Sequence, residues 1–279
     1  MRAWFLTLFG VFCAFIVSFS APQEARASDR AQLEAFLNVT GFDVALESIR
    51  LSASAAPEMI GLKTEDFGPD WSELVSEVFD TRAMHDMAIE ILSEGLEQPL
   101  LDHAIDFYAS DLGKRLVVAE NAAHMKEDDD GKREAGDAIV AGMTRHGAER
   151  LEMLKRLNAA SGTASTAVMA MQELQVRFLM AAASAGVIKL QVDEAELRAA
   201  LSADEGRLLR ALQISALSGA AYTYQAFSDD DILAYAEALE HDHMRKIYML
   251  MNAVQFEIMA NRFEALAEEL AKLKPSQAL

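Results

Sequence analysis

Residues 96–122 read LEQPLLDHAIDFYASDLGKRLVVAENA, and residues 227–253 read FSDDDILAYAEALEHDHMRKIYMLMNA. Laid over one another without a gap, at an offset of 131 residues, they place Leu101 on Ile232, Lys114 on Arg245, Leu116 on Ile247 and Asn121 on Asn252. Both carry apolar residues at three- and four-residue spacing, the period of a helix with one buried face. Such a unit cannot bury its apolar face alone, so two copies predict mutual packing. The expectation is an all-α helical bundle built from two repeated multi-helix units, packed into one body with pseudo-twofold symmetry, the alternative being two separate bundles joined by a linker.

The rest of the chain agrees with that class. Alanine, leucine, glutamate and methionine dominate, all strong helix formers, and there are only five prolines. No period-two run bounded by turns stands out. Phe227-Ser228-Asp229-Asp230-Asp231-Ile232 is a helix entry: Ser228 caps, Asp231 closes a capping box and Phe227 staples onto Ile232. Ser202-Ala203-Asp204-Glu205 reads as a second box, opening a helix at about 203. Breaks are expected at Ala56-Pro57, at Phe67–Asp70 and across Lys126–Gly136. The segment Asn158–Thr166 is rich in small and polar residues and lies between the two copies, which places a boundary near residue 160. The expected division is therefore 1–27, 28–160 and 161–279. Residues 167–190 are very apolar, but Glu173, Arg177 and Lys189 interrupt them, so they predict a buried helix and not a membrane span.

Residues 1–27 read as an export signal. Arg2 supplies the positive start, Trp4–Phe19 an apolar stretch too short to span a bilayer, and Ala25-Arg26-Ala27 an A-x-A cleavage site. The chain would then begin at Ser28, in the periplasm of a Gram-negative envelope, with no membrane span. Its single cysteine, Cys13, would be removed with the signal, which excludes disulfides, thiolate nucleophiles and cysteine metal sites. The formal charge of −19 repels phosphate backbones, so no nucleic-acid partner is expected. At 52 % apolar residues the chain is nonetheless a folding one, not an acidic tail.

Residues 105–116, IDFYASDLGKRL, carry a Phe-Tyr pair, a serine two positions on, then a glycine and a basic residue: Phe107, Tyr108, Ser110, Gly113 and Lys114. This resembles the signature of a family of exported bacterial helical proteins known as DUF2059, a domain of unknown function. The likeness is specific over about thirty residues and loose over the rest of the first half. In the second copy Leu239 stands for the tyrosine, His241 for the serine and Met244 for the glycine, while Arg245 keeps the basic position. The resemblance implies a helical fold and an exported compartment and no catalytic residue. Physically, Ser110 suits a helix end that caps the next helix. Gly113 would admit a close backbone, Phe107 would pack in the core, and Tyr108 would bury its ring with its hydroxyl on a partner. The competing role for Tyr108, Ser110 and Lys114 is a polar cluster that holds a ligand.

Other strings carry weaker signals. His241-Asp242-His243 looks metal-like, but on a helix the two imidazoles would point about 200° apart and could not share an ion, so the string reads as a solvated helix break. Met84-His85-Asp86-Met87 with His243-Met244 hints at copper through thioether and imidazole, although methionine is also a common core filler. Asp128-Asp129-Asp130-Gly131 departs from a calcium loop, with Lys126 where the first ligand belongs, and reads as a solvated acidic loop. No G-x-S-x-G and no phosphate-cradling glycine loop occurs. The sequence thus points to a non-enzymatic exported binding module without a cofactor, its partner a protein or a hydrophobic small molecule. The alternatives are a carrier of a lipid or other apolar ligand between the two units, and a copper or zinc protein or enzyme using His241, His243 or His85.

Overall fold

The computed structural model describes residues 30–53 and 56–273, so the expected signal segment lies outside the described residues. The chain forms α1 (Arg30–Thr40), α2 (Phe42–Ser52), α3 (Ala56–Met59), a 3-10 turn (Thr64–Phe67), α4 (Pro69–Val78), α5 (Thr81–Gly95), α6 (Gln98–Tyr108) and α7 (Asp111–His124). It continues through α8 (Asp129–His146), α9 (Glu149–Ser161), α10 (Thr163–Ser184), α11 (Glu194–Ala203), α12 (Glu205–Thr223), α13 (Asp229–Glu240) and α14 (Asp242–Leu270). No strand occurs among the described residues. None of these helices is long and apolar enough to cross a membrane.

Helix starts follow local chemistry. Ser228 and Asp231 form the reciprocal capping box that opens α13. Ser110 Oγ accepts from the Gly113 N–H at 3.0 Å and opens α7, and Asp80 does the same for α5 through the Ala83 N–H at 2.8 Å. Each such cap satisfies an orphan donor and is worth about 1 kcal/mol. The box expected at Ser202–Glu205 does not form. Ser202 belongs to the last turn of α11, and Asp204 makes no cap bond but pairs with Arg207. The reciprocal box lies upstream instead, between Asp193 and Glu196 at the start of α11. The acidic run Asp128–Asp130 is also not a loop. Asp128 caps α8 through the Gly131 N–H, while Asp129 and Asp130 sit in the first turn, paired with Lys132 and Arg133. Negative charge is favoured there by the helix dipole.

Packing is organised around α14. Its 29 residues bury Met244, Ile247, Val254, Ile258, Phe263, Leu266 and Leu270, with no single apolar stripe. A helix of that kind must be enclosed on several sides. It packs on α4, α5 and α6 of the first half and on α10 and α13 of the second. Phe263 meets the edges of Phe79 at 5.6 Å and Phe178 at 6.0 Å, joining the end of α4 to α10. One hydrophobic cluster runs from Leu33 to Leu270 through both halves. Arginines of the first half grip the acidic helix α13. Arg115 forks onto Asp231, Arg150 pairs with Asp229, and Arg156 holds Glu240 with two bonds of 2.7 Å. The hydrogen bonds from Arg115 lower the Asp231 carboxyl to about 2. These pairs reach solvent, so they fix register more than they stabilise.

The two similar stretches take the same helix–cap–helix shape, α6–α7 and α13–α14. Aligned positions are buried alike: Leu101 with Ile232, Tyr108 with Leu239, and Leu116 with Ile247. The turns differ in detail. A Cβ on Gly113 would lie 2.4 Å from the Phe107 carbonyl oxygen, so the two-residue turn between α6 and α7 needs glycine. The turn between α13 and α14 uses His241 alone and accommodates the buried Met244 at the aligned position.

A second close approach sets the α8–α12 crossing. A Cβ on Gly136 would fall 2.2 Å from the Ser218 carbonyl oxygen, whereas one on Gly142, also in α8, would meet nothing nearer than 4.0 Å. Identical substitutions should therefore have opposite signs. Gly136→Ala is expected to destabilise by about 1–3 kcal/mol through overpacking. Gly142→Ala is expected to stabilise by up to about 1 kcal/mol through helix propensity. Chemical denaturation of both variants tests this, and equal shifts of one sign would contradict the crossing geometry.

Candidate functional site

Tyrosine is scarce, at five residues, yet four of them converge where the two halves meet. Tyr108 ends α6, Tyr224 follows α12, Tyr235 lies on α13 and Tyr248 on α14. Tyr108 and Tyr248 hydroxyls are 2.6 Å apart, and Tyr248 and Tyr235 hydroxyls 2.5 Å apart. Tyr235 and Tyr224 both donate to Oε1 of Glu120, on α7, at 2.9 and 2.7 Å. Each phenol carries one hydrogen, which orders the network. Tyr235 gives its hydrogen to Glu120, so Tyr248 donates to Tyr235 and Tyr108 donates to Tyr248. The chain of donors ends on one carboxyl oxygen. Aromatic contacts hold the rings in place: Phe107 stacks on Tyr235 at 5.9 Å and meets the edge of Tyr108 at 5.1 Å.

The same groups wall a cavity of about 470 Å³ between the halves. Its lining takes up both members of four aligned pairs: Tyr108 and Leu239, Glu120 and Met251, Asn121 and Asn252, His124 and Gln255. The second oxygen of Glu120 has no protein partner among the described residues. No buried side-chain oxygen there is left unpaired, so Oε2 is open to the cavity. Desolvation raises the Glu120 pKa above the ordinary glutamate value of 4.5, against the opposing pull of the bonds from Tyr224 and Tyr235. Burial likewise raises all four phenols, with the Glu120 charge adding to it. Oε2 is thus a hydrogen-bond acceptor when the carboxyl is ionised and a donor when it is protonated.

Of the motif positions Phe107, Tyr108, Ser110, Gly113, Lys114 and Arg245, Tyr108 alone lines this cavity. Phe107 is half-buried against the tyrosines. Ser110 is an exposed cap, Gly113 makes the tight turn, and Lys114 is exposed, so Tyr108, Ser110 and Lys114 do not converge on one pocket. Arg245 is exposed and pairs with Asp242. His85 sits in a separate shallow cleft with Arg82, Asp86 and Arg30. The helix break expected at His241-Asp242-His243 is present, and because the chain is not helical at His241 the two imidazoles do not diverge but lie with ring centroids 5.2 Å apart. Sequence reading missed Glu120, Tyr224, Tyr235 and Tyr248. The available signal was the need of a buried tyrosine for a hydroxyl partner, applied to the few tyrosines present.

Residues 82–141 match the model of a family described as an uncharacterized protein conserved in bacteria, DUF2059. That stretch holds the first helix pair with Tyr108 and Glu120 and supports the likeness read in residues 105–116; the second pair lies outside it. No curated protein and no solved structure matched the chain.

The raised Glu120 pKa makes stability depend on pH. The folded state holds the proton more tightly, so its contribution is complete below 4.5 and is lost as pH rises through the higher folded value. Glu120→Gln keeps an acceptor for both tyrosines without the charge. Its stability relative to wild type should climb from pH 4 to pH 7 in denaturant titrations, and parallel pH profiles would remove the assignment. Tyr248→Phe should cost about 1–2 kcal/mol, since it breaks the chain of donors between Tyr108 and Tyr235.

Proposed function

We propose that this is an exported, periplasmic, non-enzymatic binding protein that holds one small polar molecule between two halves related by duplication. The observation that carries this is the open Oε2 of Glu120 in a cavity at the seam, presented by a network drawn from both halves. The volume falls in the range of small-molecule sites. The wall includes Asn121, Asn158, Thr223, Asn252 and Gln255. An apolar ligand would strip water from these groups without replacing the hydrogen bonds, which is costly. The ligand chemistry favoured is therefore a molecule rich in donors, such as an amine or a polyol, and not a lipid. The leader-like residues 1–27 and the acidic charge support export. The four aligned pairs that share the cavity support the duplication.

Gly219 provides the test. It lines the cavity, and a Cβ there would meet nothing within 4 Å, so a larger side chain enters open space without a backbone clash. Putrescine, ethanolamine and glycerol would be screened by thermal shift, alongside native mass spectrometry of freshly isolated protein. A ligand at a hundred times its Kd adds about 2.7 kcal/mol of stability. That corresponds to a rise of roughly 5–10 °C for a chain of this size. Gly219→Leu should remove the shift and any co-purified mass while keeping the fold. Absence of both signals in wild type, or a shift that survives in Gly219→Leu, would overturn the proposal.

A further inference from the structure

Three of the chain's six histidines lie together on the surface, away from the lining of the cavity. His103 comes from the exposed side of α6. His241 is the cap between α13 and α14, and His243 stands in the first turn of α14. The ring of His103 stacks on His241 at 4.3 Å and meets His243 edge-on at 5.3 Å. One nitrogen from each of the three lies within 4.8 Å of the others. The two halves thus contribute one and two imidazoles to a single point.

We propose that His103, His241 and His243 bind one divalent transition-metal ion of the kind imidazole favours: zinc, copper or nickel. Three neutral imidazoles with no thiolate are a donor set for those ions. The charge environment agrees. The nearby Asp106 adds negative charge beside His103. The overall charge of −19 concentrates cations at the surface. Metal–nitrogen bonds of about 2.0–2.1 Å require the three atoms to lie close together, and here they fall within 4.8 Å of one another. His241 supplies freedom to adjust: it is exposed, and its Nδ1 is engaged only by a long 3.2 Å bond from the His243 N–H. Ligation through Nδ1 releases that bond, and the stack with His103 opens as the ring turns. No fourth protein donor joins the group among the described residues, so water completes the shell. His85, in its separate cleft, has no part in it.

The experiment uses the full exported chain without a histidine tag, stripped with chelator. Zinc, copper and nickel chlorides would be titrated by calorimetry, and cobalt chloride by visible absorption, where tetrahedral nitrogen ligation gives intense bands. One ion per chain is expected. Affinity should fall at least tenfold in His103→Ala and in His241→Ala, and should be unchanged in His85→Ala and in the cavity variant Gly219→Leu. His241 is exposed, so His241→Ala remains informative even where His103→Ala fails to fold. Absence of binding in wild type, or binding undiminished in His241→Ala or in folded His103→Ala, would overturn the site.

Discussion

The enclosure of α14 is the constraint on which the architecture rests. A helix of 29 residues whose buried positions fall on several sides cannot lie on the surface of one bundle. It needs neighbours all around, and the second half alone supplies only α10 and α13 in quantity. Helices α4, α5 and α6 complete the sheath. The halves are therefore interlocked, and the arginine grips on α13 from α7 and α9 follow from that arrangement as a means of fixing register.

Interlocking has a consequence for polar groups. Where α6, α7, α12, α13 and α14 come together, four phenols and a carboxyl are held close to the core. An unpaired hydroxyl there would lose its bonds to water with nothing in return. The ordered chain from Tyr108 through Tyr248 and Tyr235 to Glu120 satisfies every phenol, with Tyr224 joining from the other side. It leaves one oxygen with capacity to spare. That open oxygen is the observation on which the proposed binding role rests.

Local chemistry was legible in the sequence; convergence was not. The helical period, the Ser228–Asp231 box, the Ser110 cap and the close approach at Gly113 all depend on residues within a few positions of one another, and they appear as expected. The buried hydroxyl of Tyr108 also has its expected partner, though Tyr248 is 140 residues away and no local pattern names it. The capping box at Ser202 failed because its pattern also fits the end of one helix running into the next. The break at His241 was legible, but the approach of the His241 and His243 rings that it allows was not. The backbone at His241 is extended, with ψ of 137°, and an angle counted along a helix has no meaning across that residue.

Under the proposed duplication, the positions that carry chemistry are those where one copy departs from the other. A cavity between two identical walls would present the same groups from both sides, and a buried pair of facing carboxylates would repel. Here Glu120 faces Met251 in the alignment, so a single carboxyl enters the network. Tyr235 stands where the first copy has Ala104, and Tyr248 where it has Val117, which supplies the donors that the lone carboxyl requires. At the turn, His241 takes the capping role of Ser110 and still accepts a backbone N–H, but through a nitrogen that other partners can claim. The shared residues, Leu101 with Ile232 and Leu116 with Ile247, stay in the core and hold the shape. On that proposal the repeat supplies the scaffold, and its asymmetry supplies both the cavity wall and the histidine cluster.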